Sequence, residues 1–576
     1  MTETFFFDNF FYNFLTSFLF LSINFIFSIY LSEKSSIYKI KILEPHLLFF
    51  TIISFYVFII NSLILLNKTQ YLFYIVAFLL VLIIFSLICF VNYKKLLNYF
   101  PEYKNIDKCL LIFFIIFFLI SILPFSDADS VAIHMNIPAQ IMHHGILNTD
   151  LVRNIENVLI SNTESILSLS YILKSDNFGS QLNFFSLVIF LFVFRKNKYF
   201  YYFLFCSPLI IFFISTQKLQ LFFGIIYLSL FILIFENKLK TNFEIFLFAF
   251  LLVFYSSGKL TYLLFSFFLF LFFLYKNKYC VKKIFLYFLV SFFIHQLPLL
   301  LYKFILFQNL VPPFFDNFFN NREIFFAFTD SIRSSSGWLR NLTIASIVKP
   351  FLNFNISELS TTFGLCFVLL ILNYKKTKEL YFIPYLIIFS VFISGQLLPR
   401  YFLEAFLIMA FYAQYSGLFK VINFFQGGVV IILGLGFLFY STSYLIKDSW
   451  SKSLFMKKFT YTHENSLRIR EKKINGNILV MAFDRDSIFY DKNIYSARYL
   501  NILSAYNDKY EENIKKVINI RKIKFVILSD LSKLPSCINL NFFDEIYFNH
   551  VTRNFLTNNN NKVKYKIGEI VSNECK

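Results

Sequence analysis

The sequence predicts an α-helical polytopic membrane protein of about 14 transmembrane helices with a C-terminal extracytoplasmic α/β domain. Three observations carry that expectation. Of 576 residues, 57% are hydrophobic and 15% charged, and the mean hydropathy is +0.63. A soluble chain so composed would expose more apolar surface than water tolerates. Apolar runs of about 20 residues recur as far as residue 446 and then stop. Basic residues gather in every second connection between those runs, the pattern that sets membrane orientation. The low Gly and Pro content, 14 and 12 residues, excludes collagen-like and low-complexity classes. Seven scattered cysteines without a CxxC pair give no support to a zinc ribbon or a disulfide scaffold.

In chain order the candidate spans are 10–31, 47–66, 71–93, 109–125, 181–194, 199–215, 219–235, 242–256, 260–275, 284–306, 358–373, 380–398, 401–419 and 428–446. Nothing basic precedes Lys34, so no cleavable signal peptide is expected. The basic connections hold Lys34/Lys39/Lys41, Lys94/Lys95/Lys104/Lys108, Arg195/Lys196/Lys198, Lys238/Lys240, Lys276/Lys278/Lys282/Lys283, Lys375/Lys376/Lys378 and Lys420. The intervening short turns hold one cation each: Lys68, Lys218, Lys259 and Arg400. With the lysine-rich side cytoplasmic, both termini and the long loops 126–180 and 307–357 face outward. Residues 1–446 then form the transmembrane domain and 447–576 the outer one. In the latter, Asn477–Phe483 reads as a buried strand, Ser496–Ile520 as helical and Lys524–Leu528 as a second strand, a β-α-β pattern. Val563–Val571 reads as a further strand. The net charge of +20 thus divides between a topological signal and a basic outer domain suited to anionic lipid. Neither part calls for nucleic acid.

Loop 126–180 is the connection in which acid dominates, and it opens with Asp127 and Asp129 directly after a predicted span. Carboxylates at that depth are partly desolvated, which raises their basicity toward that of a general base. The same two residues also suit capping of the amphipathic stretch that follows, Val131–Met142. His134, His143 and His144 share the loop, a set of metal-ligand types whose spacing matches no standard zinc pattern.

The segment from Asp127 through Asp129 and His134 to Gly145 resembles the first outer loop of GT-C glycosyltransferases. That superfamily includes protein O-mannosyltransferases, lipid A aminoarabinose transferases and further bacterial relatives. Ser215-Thr-Gln-Lys218-Leu-Gln220 is similar to a Lys-x-Gln turn in the bacterial branch. Asn309-Leu-Val-Pro-Pro313-Phe is similar to its Asn-Pro-x-x-Pro-Phe loop, with Leu310 for the first proline. Gln396-Leu-Leu-Pro399-Arg400-Tyr401 is similar to its late Pro-Arg-Tyr motif. The resemblance implies a GT-C-like fold in a bacterial inner membrane and transfer of a sugar from a polyprenyl-phosphate donor on the outer face. It also implies inversion at the anomeric carbon. Asp129 is then the base, and Asp127 orients the acceptor (a glycan, a lipid or a protein) or holds a divalent ion, Mg²⁺ or Mn²⁺. The sequence requires no cofactor.

A departing phosphate needs fixed cations, and Lys218, Lys259 and Arg400 are the candidates. The chain has 12 arginines. Among the loops between spans only Arg195 lies on the cytoplasmic side, whereas Arg153, Arg322, Arg333, Arg340 and Arg400 lie outside. Guanidinium binds oxyanions bidentately. Glu404, one turn beyond Arg400, is expected to hold its fork; Gln220, His134 and Tyr401 are expected to line the site. Lone basic residues at span ends also snorkel to headgroups without further role. Two other functions stay open: a transporter or flippase for a lipid-linked substrate, and an O-antigen polymerase or ligase. Charges at helix ends rather than at mid-membrane speak against the first, and the early Asp-x-Asp against the second.

Overall fold

Helix is the only spanning structure that satisfies its own backbone in lipid, and in this computed structural model a helix lies within each of the 14 predicted segments. The structure describes residues 10–37, 44–90, 108–125, 127, 129–147, 149–194, 198–276, 281–334, 348, 351, 362–373, 378–394, 398–413, 417–447, 461–481, 493–528, 534–536, 538–550 and 561–573. Predicted features at Lys94, Lys95, Lys104, Arg340, Gln396 and the side chains of His143 and His144 lie outside those residues.

Length separates the helices into two kinds. Asn13–Lys34, Pro45–Leu65, Thr69–Cys89 and Lys420–Lys447 are long and apolar enough to cross a membrane, and Lys282–His295 with Leu297–Phe307 forms a fifth candidate bent by 47°. The bend falls where Pro298 removes a backbone donor and its ring opposes the Ile294 carbonyl. The shorter apolar helices differ in burial, and Leu260–Lys276 leaves Leu263, Phe267 and Tyr275 exposed. Gln220–Phe235 is buried from Gln220 to Ile234, hydrophobic on every side because every side meets protein. Leu72–Phe90 is its opposite: Tyr74, Phe78, Val81, Phe85 and Ile88 form an exposed stripe at helical spacing.

Three segments depart from the expected spans. Residues 199–215 break at Ser207-Pro208 into Lys198–Phe205 and Leu209–Ile214. Residues 401–419 yield only Leu403–Phe411, entered through the 3₁₀ turn Pro399–Phe402. Loop 126–180, expected as a long outer connection, is largely folded against the helical body. It carries the helices Asn136–His144, Asn162–Leu167 and Leu169–Ile172, and buries Glu156, Glu164 and Asp176.

The C-terminal unit is a five-stranded sheet with helices. Its strands are β1 (Asn477–Val480), β2 (Ile494–Ser496), β3 (Ile523–Leu528), β4 (Ile538–His550) and β5 (Asn561–Asn573), in the order β2-β1-β3-β5-β4. The β1–β3 pair is parallel, as the β-α-β pattern requires, whereas β5 is antiparallel to both β3 and β4. The crossover is two helices, Arg498–Asn507 and Tyr510–Arg521, rather than one. These lean on the acidic loop. Arg521 pairs with Asp150 at 2.5 Å, Arg498 pairs with Glu156, and Asn507 donates to Glu323 at 2.9 Å. Ile155, Val158, Phe325, Phe328, Ile502 and Leu503 fill the space between.

Candidate functional site

Residues Asp129 to Met135 do not wind as a simple α-helix: Ser130–Met135 is a π-turn. Two anchors fix its start. The Ser130 backbone N–H donates to Asp127 Oδ2 at 3.1 Å, and the Ser130 hydroxyl accepts from the Gln217 backbone N–H at 2.9 Å. The first contact meets the capping expectation for Asp127; the Asp129 side chain makes no cap bond. The second brings in the Thr216-Gln217-Lys218 turn, which is held from behind: Gln217 Oε1 accepts from the Gly179 N–H at 2.8 Å and Gln217 Nε2 donates to Ser180 Oγ at 3.1 Å.

Lys218 therefore lands between the two aspartates, with Nζ 3.0 Å from Oδ2 of Asp127 and 3.0 Å from Oδ2 of Asp129. Its side chain is only 7% exposed, so it is not a snorkelling lysine, and its ammonium also lies 4.7 Å from the Phe212 ring centroid. Arg400, 271 residues further along the chain than Asp129, reaches the same Oδ2 at 3.4 Å. Burial works against the Arg400 charge, but Tyr401 and Asp129 outweigh it and hold its pKa above the ordinary arginine value. Lys259 completes the group from the turn Ser257-Gly258-Lys259, its Nζ 4.3 Å from the Tyr401 ring centroid. Burial lowers its pKa; Tyr401 opposes that shift, and Arg400 and Lys218 add to it. Lys259 has no carboxylate partner among the described residues. Three cations thus face two carboxylates, and Oδ1 of Asp127, Nε of Arg400 and Oε1 of Gln220 are buried without a hydrogen-bond partner among the described residues.

Glu404 behaves differently from its expected role. It accepts from the Tyr255 hydroxyl at 2.9 Å, not from Arg400. The 3₁₀ turn Pro399–Phe402 is the reason: it breaks the α spacing that would have put residues 400 and 404 on one face. Tyr255 stacks in turn on Tyr262 at 4.6 Å. Lys218 likewise differs from a free phosphate ligand, since its ammonium is already engaged by the aspartates. His134 makes no contact with the aspartates among the described residues; its Nδ1 lies 2.9 Å from Glu164 Oε1. The Asn309–Phe314 motif is held internally, by Asn309 Nδ2 donating to the Phe314 carbonyl at 3.1 Å and to Asp316 at 3.0 Å.

The same geometry tests a divalent ion. Lys218 Nζ stands between the two oxygens that would bridge it, and no group of three or more His, Cys, Asp or Glu side chains surrounds a common point among the described residues. The space between the pair is taken by the lysine ammonium, and no step below runs through a divalent ion.

Sequence reasoning missed Glu164, Gln217 and Tyr255. Glu164 had a signal: Ser161-Asn-Thr-Glu164 is a capping box, and both of its bonds form. Gln217 and Tyr255 had none, since each acts through partners distant in sequence. No protein-family model, curated protein or solved structure matches this chain.

Proposed function

We propose that this chain is a GT-C-type glycosyltransferase of the bacterial inner membrane, transferring a sugar from a polyprenyl-phosphate donor to an acceptor hydroxyl at the outer face. The predicted segments are its membrane part, with the sheet domain and the acidic loop toward the outer face. One observation carries the reading: Asp127, Asp129, Lys218 and Arg400 join in a single charged cluster with Lys259 beside it. Displacement of a lipid phosphate needs a proton acceptor on one side of the anomeric carbon and fixed cations on the other. The acidic segment supplies the acceptor, which by the resemblance is Asp129. Lys259 and the unpartnered Nε of Arg400 are the donors left for phosphate oxygens.

The test is transfer from polyprenyl-phosphate sugars in membranes bearing the full-length protein. Asp129→Asn and Asp127→Asn should each lower turnover by about 100-fold or more; retained transfer in both variants would sink the proposal. Arg400→Lys, which keeps charge but loses the fork, should raise the donor KM by roughly 10-fold or more with a smaller change in kcat.

One observation favours a second reading, a lipid flippase. The 47° break in the bent helix pair adjoins His295, fully buried, with neither ring nitrogen hydrogen-bonded among the described residues. Broken helices with buried titratable groups line transport paths. Movement of a labelled polyprenyl phosphate between leaflets of proteoliposomes, without glycosyl transfer, would select it.

A further inference from the structure

The π-turn carries a proton-accepting group besides the aspartates. His134 Nδ1 lies 2.9 Å from Glu164 Oε1. Glu164 is itself immobilised: its Oε2 accepts from the Ser161 backbone N–H at 2.7 Å and from the Ser161 hydroxyl at 2.6 Å, and its side chain is 3% exposed. A fixed carboxylate on Nδ1 selects the tautomer protonated there and leaves the Nε2 lone pair as an acceptor. Nε2 makes no hydrogen bond among the described residues, and the side chain is 21% exposed.

Position argues for the same purpose. A π-turn closes from i to i+5, so its winding brings residue 134 round over residue 129. From Glu164 the contacts lead back to the cations. Thr163 Oγ1 donates to the Gly258 carbonyl at 2.8 Å, with Ser161 Oγ also 2.8 Å from that carbonyl, and the next residue is Lys259 on the Tyr401 ring. Tyr401 follows Arg400, which bonds Asp129. The contacts and chain neighbours that lead from the π-turn through His134 and Glu164 thus return to Asp129 through Lys259 and Arg400. Asp129, by contrast, already has Oδ2 engaged by Lys218 at 3.0 Å and Arg400 at 3.4 Å.

We infer that His134, oriented by Glu164, takes the proton of the acceptor hydroxyl, while Asp129 holds the two cations in place. This inference rests on the glycosyltransferase reading and reassigns its base. The acceptor O–H proton passes to Nε2 as the acceptor oxygen bonds the anomeric carbon. The bond from that carbon to the phosphate oxygen breaks, and its electron pair leaves with the lipid phosphate. The imidazolium formed is stabilised by the Glu164 carboxylate.

The experiment uses the full-length protein in membranes with a polyprenyl-phosphate sugar as donor. His134→Ala should lower kcat about 100-fold with donor KM unchanged, and imidazole in the buffer should restore part of the loss. Glu164→Gln should lower kcat without an imidazole response. If the alanine variant does not accumulate, His134→Gln serves instead, with the same fall in kcat expected. Near-normal kcat in the His134 variants, or a loss in His134→Ala that imidazole leaves unchanged, overturns the inference while leaving the glycosyltransferase reading intact. Failure of the unaltered protein to transfer from any such donor overturns that reading and this inference with it.

Discussion

Lys218 shows how one side chain decides the character of a site. Its ammonium neutralises two carboxylates that would otherwise repel each other within a half-buried space. Lys218→Met removes the compensation from both at once, and the expected loss is about 3 kcal/mol of stability. It is read as a fall in melting temperature in detergent, and an unchanged melting temperature would mean that the aspartates find other partners. Asp316 gives a pH prediction at the same scale. Burial alone would raise its pKa, but hydrogen bonds from the Arg322 side chain and backbone and from Asn309 outweigh that and hold it below the ordinary value of 3.8. A carboxylate with a depressed folded pKa stabilises fully above its unfolded pKa and loses that contribution as pH falls through the folded value. Amide exchange across residues 309–322 should therefore rise below pH 3.8, and in Asp316→Asn it should be faster at neutral pH and lack the acid step.

At the scale of elements, the site depends on how turns are held from behind. Gly179 has no side chain because Gln217 Oε1 occupies the place a Cβ would take, with Leu167 close by. Gly179→Ala must push Gln217 aside, and with it the turn carrying Lys218. The expected cost is about 1–3 kcal/mol, with transfer activity falling further than stability because Lys218 moves off the aspartates. Equal activity per folded molecule would show that the turn tolerates the shift. The capping box of Asn162–Leu167 makes a related point: one carboxylate, Glu164, caps the start of a helix with one oxygen and orients His134 with the other.

At the scale of the whole molecule, the sheet domain is latched to the acidic loop by Asp150–Arg521 and Glu156–Arg498, and that loop runs directly into Ser161 and Glu164. Asp150→Arg should open the latch, raising amide exchange over residues 149–156, and the added change Arg521→Asp should restore protection. No recovery in the double variant would mean that the apolar contacts of Ile155, Phe325 and Ile502 alone hold the two units together.

What the sequence determined by itself was local or periodic. Apolar run length placed a helix in each segment, and short apolar runs found β1, β3 and β5, because helix and strand formation depend on spacing within a few residues. The long strand β4, whose apolar residues are interrupted by Asn and by the adjacent Asp544 and Glu545, was passed over, and so was the folding of loop 126–180 into the bundle. The aspartates and cations were legible as types, but their pairing was not. Asp129 meets Arg400 across 271 positions, Asp150 meets Arg521 across 371, and Tyr255 takes Glu404 away from Arg400 across 149. Side-chain chemistry names which groups can attract one another; only the packed arrangement of helices brings two of them within the 3 Å at which charge and hydrogen bond act together.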